Sequence, residues 1–245
     1  IMLDSWIRKY AVEKFGGSYA PFFESLAKFL GEPTKGEPMV SLSNPQKNTV
    51  LFGNLEGPVS DKGNKVGSIY SFRMDPKVWD NLVNTKFGVL SFANNHIGDY
   101  SVAAYMDTIA RAKGANIVLA GVRQTASSSP AVYTESNGIR IAWLAYTDVG
   151  PKWMAPTESR AGVALLDEST LAQDISQAKT QADVVLVSVH WGEEYATHSN
   201  VHQQRIGRLA IDSGALAVIG HHPHVAQEIE EYNGGVIAYS LGNYI

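Results

Sequence analysis

The sequence predicts an α/β fold in which mixed β-sheets pack as a sandwich flanked by helices. Three observations carry this. Strand-like apolar runs alternate with segments of helical spacing over most of the chain, the pattern of an α/β domain rather than an all-helical or all-β one. Two tight-turn sequences, Ser136-Asn137-Gly138 and Asn233-Gly234-Gly235, each join two β-rich stretches and so add hairpins to the alternating units. Several polar motifs follow directly on strand ends, the edge of an open α/β sheet where ligands bind. With 245 residues, 44% of them hydrophobic, the chain is long enough for one large domain, and residues 1–245 are read as one domain.

The first strand is expected over residues 49–52. A helix over 75–84 follows, with Pro76 at its first position, where a missing N–H costs nothing. A strand over 87–92 comes next. Residues 101–113 carry apolar side chains at Val102, Tyr105, Met106 and Ile109, a helical spacing, and stop at Gly114. Strands are expected over 116–120, 131–134 and 140–146, the last two forming the first hairpin. Beyond a Pro-containing loop over 150–160, the unit of helix 169–182 and strand 183–189 repeats as helix 202–213 and strand 216–219. Strands 228–232 and 236–239 form the second hairpin. Residues 31–47, rich in Gly, Pro, Lys and Asn, read as a long surface loop.

Composition excludes several classes of function. The 20 Lys plus Arg against 24 Asp plus Glu give a formal charge of −4, so there is no broad basic surface and no nucleic-acid partner is expected. The absence of cysteine removes disulfides, zinc knuckles and thiol nucleophiles together. No apolar run approaches the roughly 18 residues needed to span a bilayer. The chain opens at Ile1-Met2-Leu3 and stops at Tyr244-Ile245 in what reads as the start of a strand, so truncation at both ends is expected, with any signal or membrane anchor lying upstream.

Chemistry gathers where strands stop. Residues 49–52 lead into Gly53-Asn54-Leu55-Glu56-Gly57-Pro58, and residues 87–92 into Ala93-Asn94-Asn95-His96. The strand ending at Val189 leads into His190-Trp191-Gly192, and the one ending at Ile219 into Gly220-His221-His222-Pro223-His224. Five of the seven histidines thus fall just past strand ends. Imidazole with carboxylate and carboxamide suits Zn, Fe, Mn or Ni, and the lack of thiolate argues against Cu(I) or an iron–sulfur cluster. The groups outnumber the ligands of one tetrahedral ion; a two-metal centre would use them all.

Each piece alone has a structural reading. Asn54 and Glu56 could close a turn, Asn95-His96 could cap a helix, and His190 before Trp191 could be a packed, hydrogen-bonded histidine. Three near-adjacent imidazoles at 221, 222 and 224 are harder to explain as packing. No nucleophile elbow, phosphate loop or dinucleotide fingerprint is present. Glu193 and Glu194, adjacent on an extended chain, point apart, so at most one faces the site. His198 and His202 are read as surface residues.

The motifs at 53–58, 93–96 and 220–225, together with Val189-His190-Trp191-Gly192-Glu193-Glu194-Tyr195 and Tyr239-Ser240-Leu241-Gly242-Asn243, resemble those of the bacterial capsule-synthesis proteins of the CapA type, associated with poly-γ-glutamate. The resemblance runs from about Pro21 to the end. It implies a fold similar to the calcineurin-like metallophosphoesterases, a four-layer sandwich of two mixed sheets between helices. It also implies metal ligands at Glu56, Asn95, His190, His222 and His224, holding two divalent ions (Mn, Zn or Fe). His96 would be the non-ligand histidine that donates a proton or steadies developing charge.

Further implications are an anionic polymer or a phosphorylated or glutamyl substrate, membrane-bound synthase subunits as partners, and a membrane-anchored site of action outside the cytoplasm. Two functions follow as alternatives. One is a metal-dependent hydrolase acting on a phosphoryl or acyl centre; the other is a non-catalytic polymer-binding accessory subunit. Arg160, Asn54 and His221 are the expected substrate contacts, with Arg73 a further candidate cation. The chain departs from the family pattern in two places: the usual Gly-Ala-Asp is Gly214-Ala215-Leu216, and the usual Asp-Tyr-Gly is Asp99-Tyr100-Ser101. The Gly-Asp that family members carry before their Met-Leu dipeptide is not among these residues.

Overall fold

The computed structural model describes residues 1, 6–24, 49–67 and 69–243. The surface loop expected over 31–47 lies outside them. Helix α1 (Trp6–Phe15), which the sequence reading did not anticipate, precedes the first strand.

Two sheets organise the rest. The first contains β1 (Leu51–Asn54), β2 (Phe87–Ser91) and β3 (Val118–Ala120) in that order, all parallel. Helices α2 (Val78–Asn84) and α3 (Ser101–Gly114) are its crossovers and pack on β2 and β3. A ribbon of β4 (Val122–Arg123) and β7 (Gly162–Val163) lies apart. The second sheet contains β5 (Val132–Ser136), β6 (Ile139–Thr147), β8 (Val184–His190), β9 (Ala217–His221), β10 (Ile229–Tyr232) and β11 (Gly235–Ala238), in the order β10-β11-β9-β8-β6-β5. Its four inner strands are parallel, and the hairpin partners β5 and β10 make antiparallel edges. Helices α4 (Glu168–Lys179) and α5 (Val201–Asp212) cover β6, β8, β9 and β11.

Both expected hairpins form. Each turns through residues of positive φ, Asn137-Gly138 and Asn233-Gly234, as a two-residue loop matched to strand twist requires. Other boundaries moved. Helix α2 starts at Val78 because Asp75 and Pro76 form the turn before it, with the Val78 N–H bonded to Asp75 O at 2.9 Å. Helix α3 runs through Gly114, and Asn116, φ +57, takes the left-handed position instead. The sheets also depart from expectation: only the second is mixed, since no hairpin partner joins β1–β3 among the described residues.

The sheets face one another. Phe52 of β1 stacks on Trp143 of β6 with ring centroids 5.2 Å apart, inside an apolar core that also holds Leu90, Phe92 and Ala145. A second core, with Trp191, Val187, Ile206 and Ile237, fills the space under α4 and α5. Strand β8 is nearly continuous in apolar residues because it is central and covered on both faces. Parallel pairing puts the strand ends in two rows: Asn54, Ser91 and Ala120 are neighbours in one sheet, and Thr147, His190 and His221 in the other. No helix among the described residues is long and apolar enough to cross a membrane.

Candidate metal centre

Glu56 lies two residues past β1. The Leu55 N–H still donates to Ser91 O at 2.9 Å, and Gly57 at φ +122 turns the chain away after Glu56, so its carboxylate stays inside at 5% exposure. Oε2 accepts from Asn54 Nδ2 at 3.1 Å, and Oε1 is buried with no hydrogen-bond partner. That oxygen is 3.8 Å from His190 Nε2 and 3.7 Å from His224 Nε2. Ligand atoms of Glu56, His222 and His224 all lie within 4.8 Å of one another.

His190, the last residue of β8, is 1% exposed, and its Nε2 lies 2.8 Å from Asn95 Oδ1. Its other nitrogen, Nδ1, is buried without a partner. One imidazole nitrogen thus meets a carboxamide oxygen and the other is left without a partner. The rings of His190 and His222 are 4.9 Å apart, centroid to centroid, and those of His222 and His224 6.1 Å. His224 Nδ1 is held by Asn243 Oδ1 at 2.9 Å. Thus β1, β2, β8 and β9 bring Glu56, Asn95, His190, His222 and His224 to one place.

The 221–224 segment is held under backbone strain. His222 has φ +99 and His224 φ +61, a region that L side chains seldom occupy. Gly220 makes the preceding close approach possible: a Cβ there would lie 1.9 Å from Tyr239 O and 2.6 Å from Trp191 Nε1, which itself donates to Tyr239 O at 2.9 Å.

His96 Nδ1 lies 2.8 Å from Asp99 Oδ2, which also accepts from the Phe72 N–H at 2.8 Å. The carboxylate thus fixes the proton on Nδ1 and leaves Nε2 for other work. Asp99 was not assigned a role from sequence; its spacing three residues after His96 was the available signal. Asn94 braces the same region, donating from Nδ2 to Leu55 O at 2.8 Å and accepting from the His96 N–H at 3.1 Å.

The expected substrate contacts fare differently. Asn54 is 6% exposed and its carboxamide is committed to Glu56 and, at 3.4 Å, to Asn94, so it orients the carboxylate. His221 lines a cavity of about 290 Å³ with Glu56, His222, His224, Leu51, Phe52 and Phe87, and its buried Nε2 has no partner. Arg160 does not line that cavity; its guanidinium donates to the carbonyls of Trp153 at 3.1 Å and Ala155 at 2.9 Å. Arg73 is drawn onto Lys62 O and Gly63 O and lies over the Tyr100 ring at 4.1 Å. His202, read as a surface residue, faces Asp148 at 2.9 Å.

Burial, and then the neighbouring histidines, hold the His190 imidazole well below its ordinary range. Burial likewise lowers His222 and takes His221 down to about 3. These rings are neutral at neutral pH, the form a cation requires. Separations of 3.7–3.8 Å between Glu56 Oε1 and two imidazole nitrogens are too long for hydrogen bonds. They are near the roughly 3.4 Å between two ligands of one tetrahedral ion with bonds of about 2.1 Å. With a carboxylate oxygen buried and unpaired beside the neutral His190 ring, the residues fit a divalent ion.

The comparisons with known proteins identify a family and a likeness of fold. Residues 41–245 match the family described as bacterial capsule synthesis protein PGA_cap. The PGA biosynthesis protein CapA of Bacillus subtilis (strain 168) is 39% identical over 202 residues, 80% of this chain and 52% of that protein. The capsule biosynthesis protein CapA of Bacillus anthracis is 34% identical over 204 residues, 80% of this chain and 50% of that one. The chain therefore spans about half the length of these relatives. Among solved structures, a putative 5'-nucleotidase from Staphylococcus aureus superposes with a TM-score of 0.50 at 16% identity, over 69% of this chain and 35% of that one, a likeness of fold alone. On the family match and these identities, the chain belongs to the bacterial capsule synthesis protein family PGA_cap.

Proposed function

We propose that this chain is a divalent-metal-dependent hydrolase of capsule or poly-γ-glutamate biogenesis, acting on a phosphoryl or acyl centre, with its two sheets and their helices forming the four-layer sandwich of metallophosphoesterases. One observation carries the reading: Glu56 Oε1 is buried, unpaired, and faced by His190 and His224. A carboxylate oxygen kept there without a partner is destabilising by about 1–3 kcal/mol, and a cation is the partner that removes the penalty. Glu56, His222 and His224 would hold one ion, and His190 with Asn95 would hold a second beside it. Bound metal would supply Lewis acidity and an activated water.

The remaining steps belong to the chain. Asn54 aims Glu56, and Asn243 fixes the His224 ring. Asp99 keeps the His96 proton on Nδ1, so that Nε2 is the atom that gives or takes a proton at the reacting group. The apolar wall of Leu51, Phe52 and Phe87 excludes water from one side of the cavity. The substrate is read as an anionic polymer or a phosphorylated or glutamyl compound, met outside the cytoplasm alongside membrane-bound synthase subunits.

A second reading has an observation in its favour. Glu56 is the only carboxylate in the ligand cluster found among the described residues, a small anionic share for two dications. A polymer-binding accessory subunit that keeps the fold with little catalysis would tolerate that. Elemental analysis after Mn loading, followed by hydrolysis assays on phosphoesters and γ-glutamyl peptides, separates the two. Bound metal with turnover supports the enzyme; a parent protein that retains no metal, or that retains metal without turnover, removes it.

A further inference from the structure

Loop 192–200, just beyond β8, is anchored more elaborately than a connection needs. Gln203 and Gln227 are 1% and 8% exposed, and Gln203 Nε2 donates to Gln227 Oε1 at 3.0 Å. Gln227 Nε2 then donates to Ala196 O at 2.8 Å and His198 O at 3.0 Å, and the Asn200 N–H donates to Gln203 Oε1 at 3.0 Å. Gly192, φ +82, lies against this pair; a Cβ there would be 2.8 Å from the Gln203 carboxamide. Two buried amides thus fix the course of an exposed loop.

What the loop displays is Tyr195. Its backbone is left-handed at φ +65, and its N–H donates to Pro223 O at 2.8 Å, inside the histidine segment. Its side chain is nevertheless 69% exposed, with the ring centroid 6.1 Å from that of His224. An aromatic residue gains nothing from burial there and bears a left-handed conformation that disfavours it.

We infer that Tyr195 is a substrate-positioning residue, whose phenolic O–H donates to an oxyanion of the group bound at the histidine cluster, on the solvent side of His224. The inference rests on the metal-site reading above and adds a specific contact to it. The shared ligand chemistry is an oxyanion, either phosphoryl or carboxylate.

The test titrates inorganic phosphate, and separately γ-glutamylglutamate, into Mn-loaded parent, Tyr195→Phe and Tyr195→Gly, with Mn affinity and melting temperature measured for each. Tyr195→Phe should keep Mn affinity and melting temperature and lose about tenfold in affinity for the probe that binds, the loss expected for one hydrogen bond to a charged group. Tyr195→Gly, which relieves the left-handed backbone, should melt no lower than the parent and lose at least as much probe affinity. Which probe responds identifies the oxyanion. Unchanged probe affinity in both variants, no probe binding by Mn-loaded parent, or a fall in stability with the Gly variant at unchanged probe affinity overturns the role of Tyr195 and leaves the metal site standing. Failure of the parent to bind Mn overturns the metal-site reading, and the inference with it.

Discussion

Replacing Glu56 with Gln removes a charge from a site that is 5% exposed while keeping the side-chain shape. This carboxylate has one hydrogen bond, from Asn54 at 3.1 Å, and one unpaired oxygen near the His190 imidazole, which burial holds below its ordinary range. Neutralising it should therefore leave the metal-free fold as stable as the parent, or more stable by about 1 kcal/mol. The effect of metal should move the other way. A ligand at about one hundred times its dissociation constant stabilises the state that binds it by about 2.7 kcal/mol, which for a chain of this size raises the melting temperature by roughly 5–11 °C. The parent should show that rise on adding Mn, and Glu56→Gln should show almost none. Thermal unfolding with and without Mn reads both numbers from one preparation. A full Mn-induced rise in the variant would refute the assignment of Glu56 as ligand, and a large loss of metal-free stability would refute its description as an unsatisfied group.

Three further outcomes follow from local geometry. Gly220→Ala places a methyl group 1.9 Å from Tyr239 O, a backbone atom that cannot move alone, so chemical denaturation should show a loss of about 3 kcal/mol or more; a loss under 1 kcal/mol would contradict the close approach. Ser101 has φ +72, so Ser101→Gly should stabilise by about 1 kcal/mol, read as a small rise in denaturation midpoint. Burial raises the Asp107 carboxyl, but hydrogen bonds from Lys62, Ser60 and Arg111 outweigh this and hold it at about 2. Its folded value is below the ordinary 3.8, so its contribution, about 2 kcal/mol, is complete above pH 4 and is lost as pH falls toward 2. Asp107→Asn should lower stability at pH 7 by about that amount and flatten the acid limb of the stability curve, and an unchanged acid limb would sink the assignment.

Much of the site was legible because parallel sheets make strand ends into neighbours. Once four apolar runs were read as strands, the polar residues after them had to converge, and the pairings Asn54 with Ser91 and His190 with His221 are that convergence. Hairpins were legible because Asn-Gly at a two-residue turn has few other uses. Less was legible where tertiary contact decided the outcome. The β4–β7 ribbon joins two-residue strands about forty residues apart, too short for any period to register. Asn54 does line the cavity, but sequence could not say that Glu56 and Asn94 engage its carboxamide. Arg160 read as a rim cation because a polyanionic substrate calls for positive charge near an acidic centre; here its guanidinium donates to two loop carbonyls.

The departures from the family pattern divide by the same physics. Where Gly would be usual at 101, Ser101 adopts the left-handed backbone that Gly favours, so this substitution trades stability without touching the histidines. At Leu216 the side chain is 51% exposed, and only its backbone is engaged, donating to Val185 O and accepting from the Val236 N–H. Loss of an acidic residue there leaves the strand pairing intact. Among the described residues, left-handed backbone is inexpensive at Gly and at Asn116, Asn137 and Asn233; elsewhere it is found at Lys86 and Ser101, away from the histidines, and at Tyr195, His222 and His224, within or beside them. Nothing in hydrophobic patterning encodes these last three, whose surroundings are tertiary: the Tyr195 N–H bonds Pro223 O, and Gln227 holds the neighbouring Ala196 carbonyl. Strain in three residues of one cluster thus coincides with the unpaired Glu56 oxygen and with the group of side chains that could hold a metal ion.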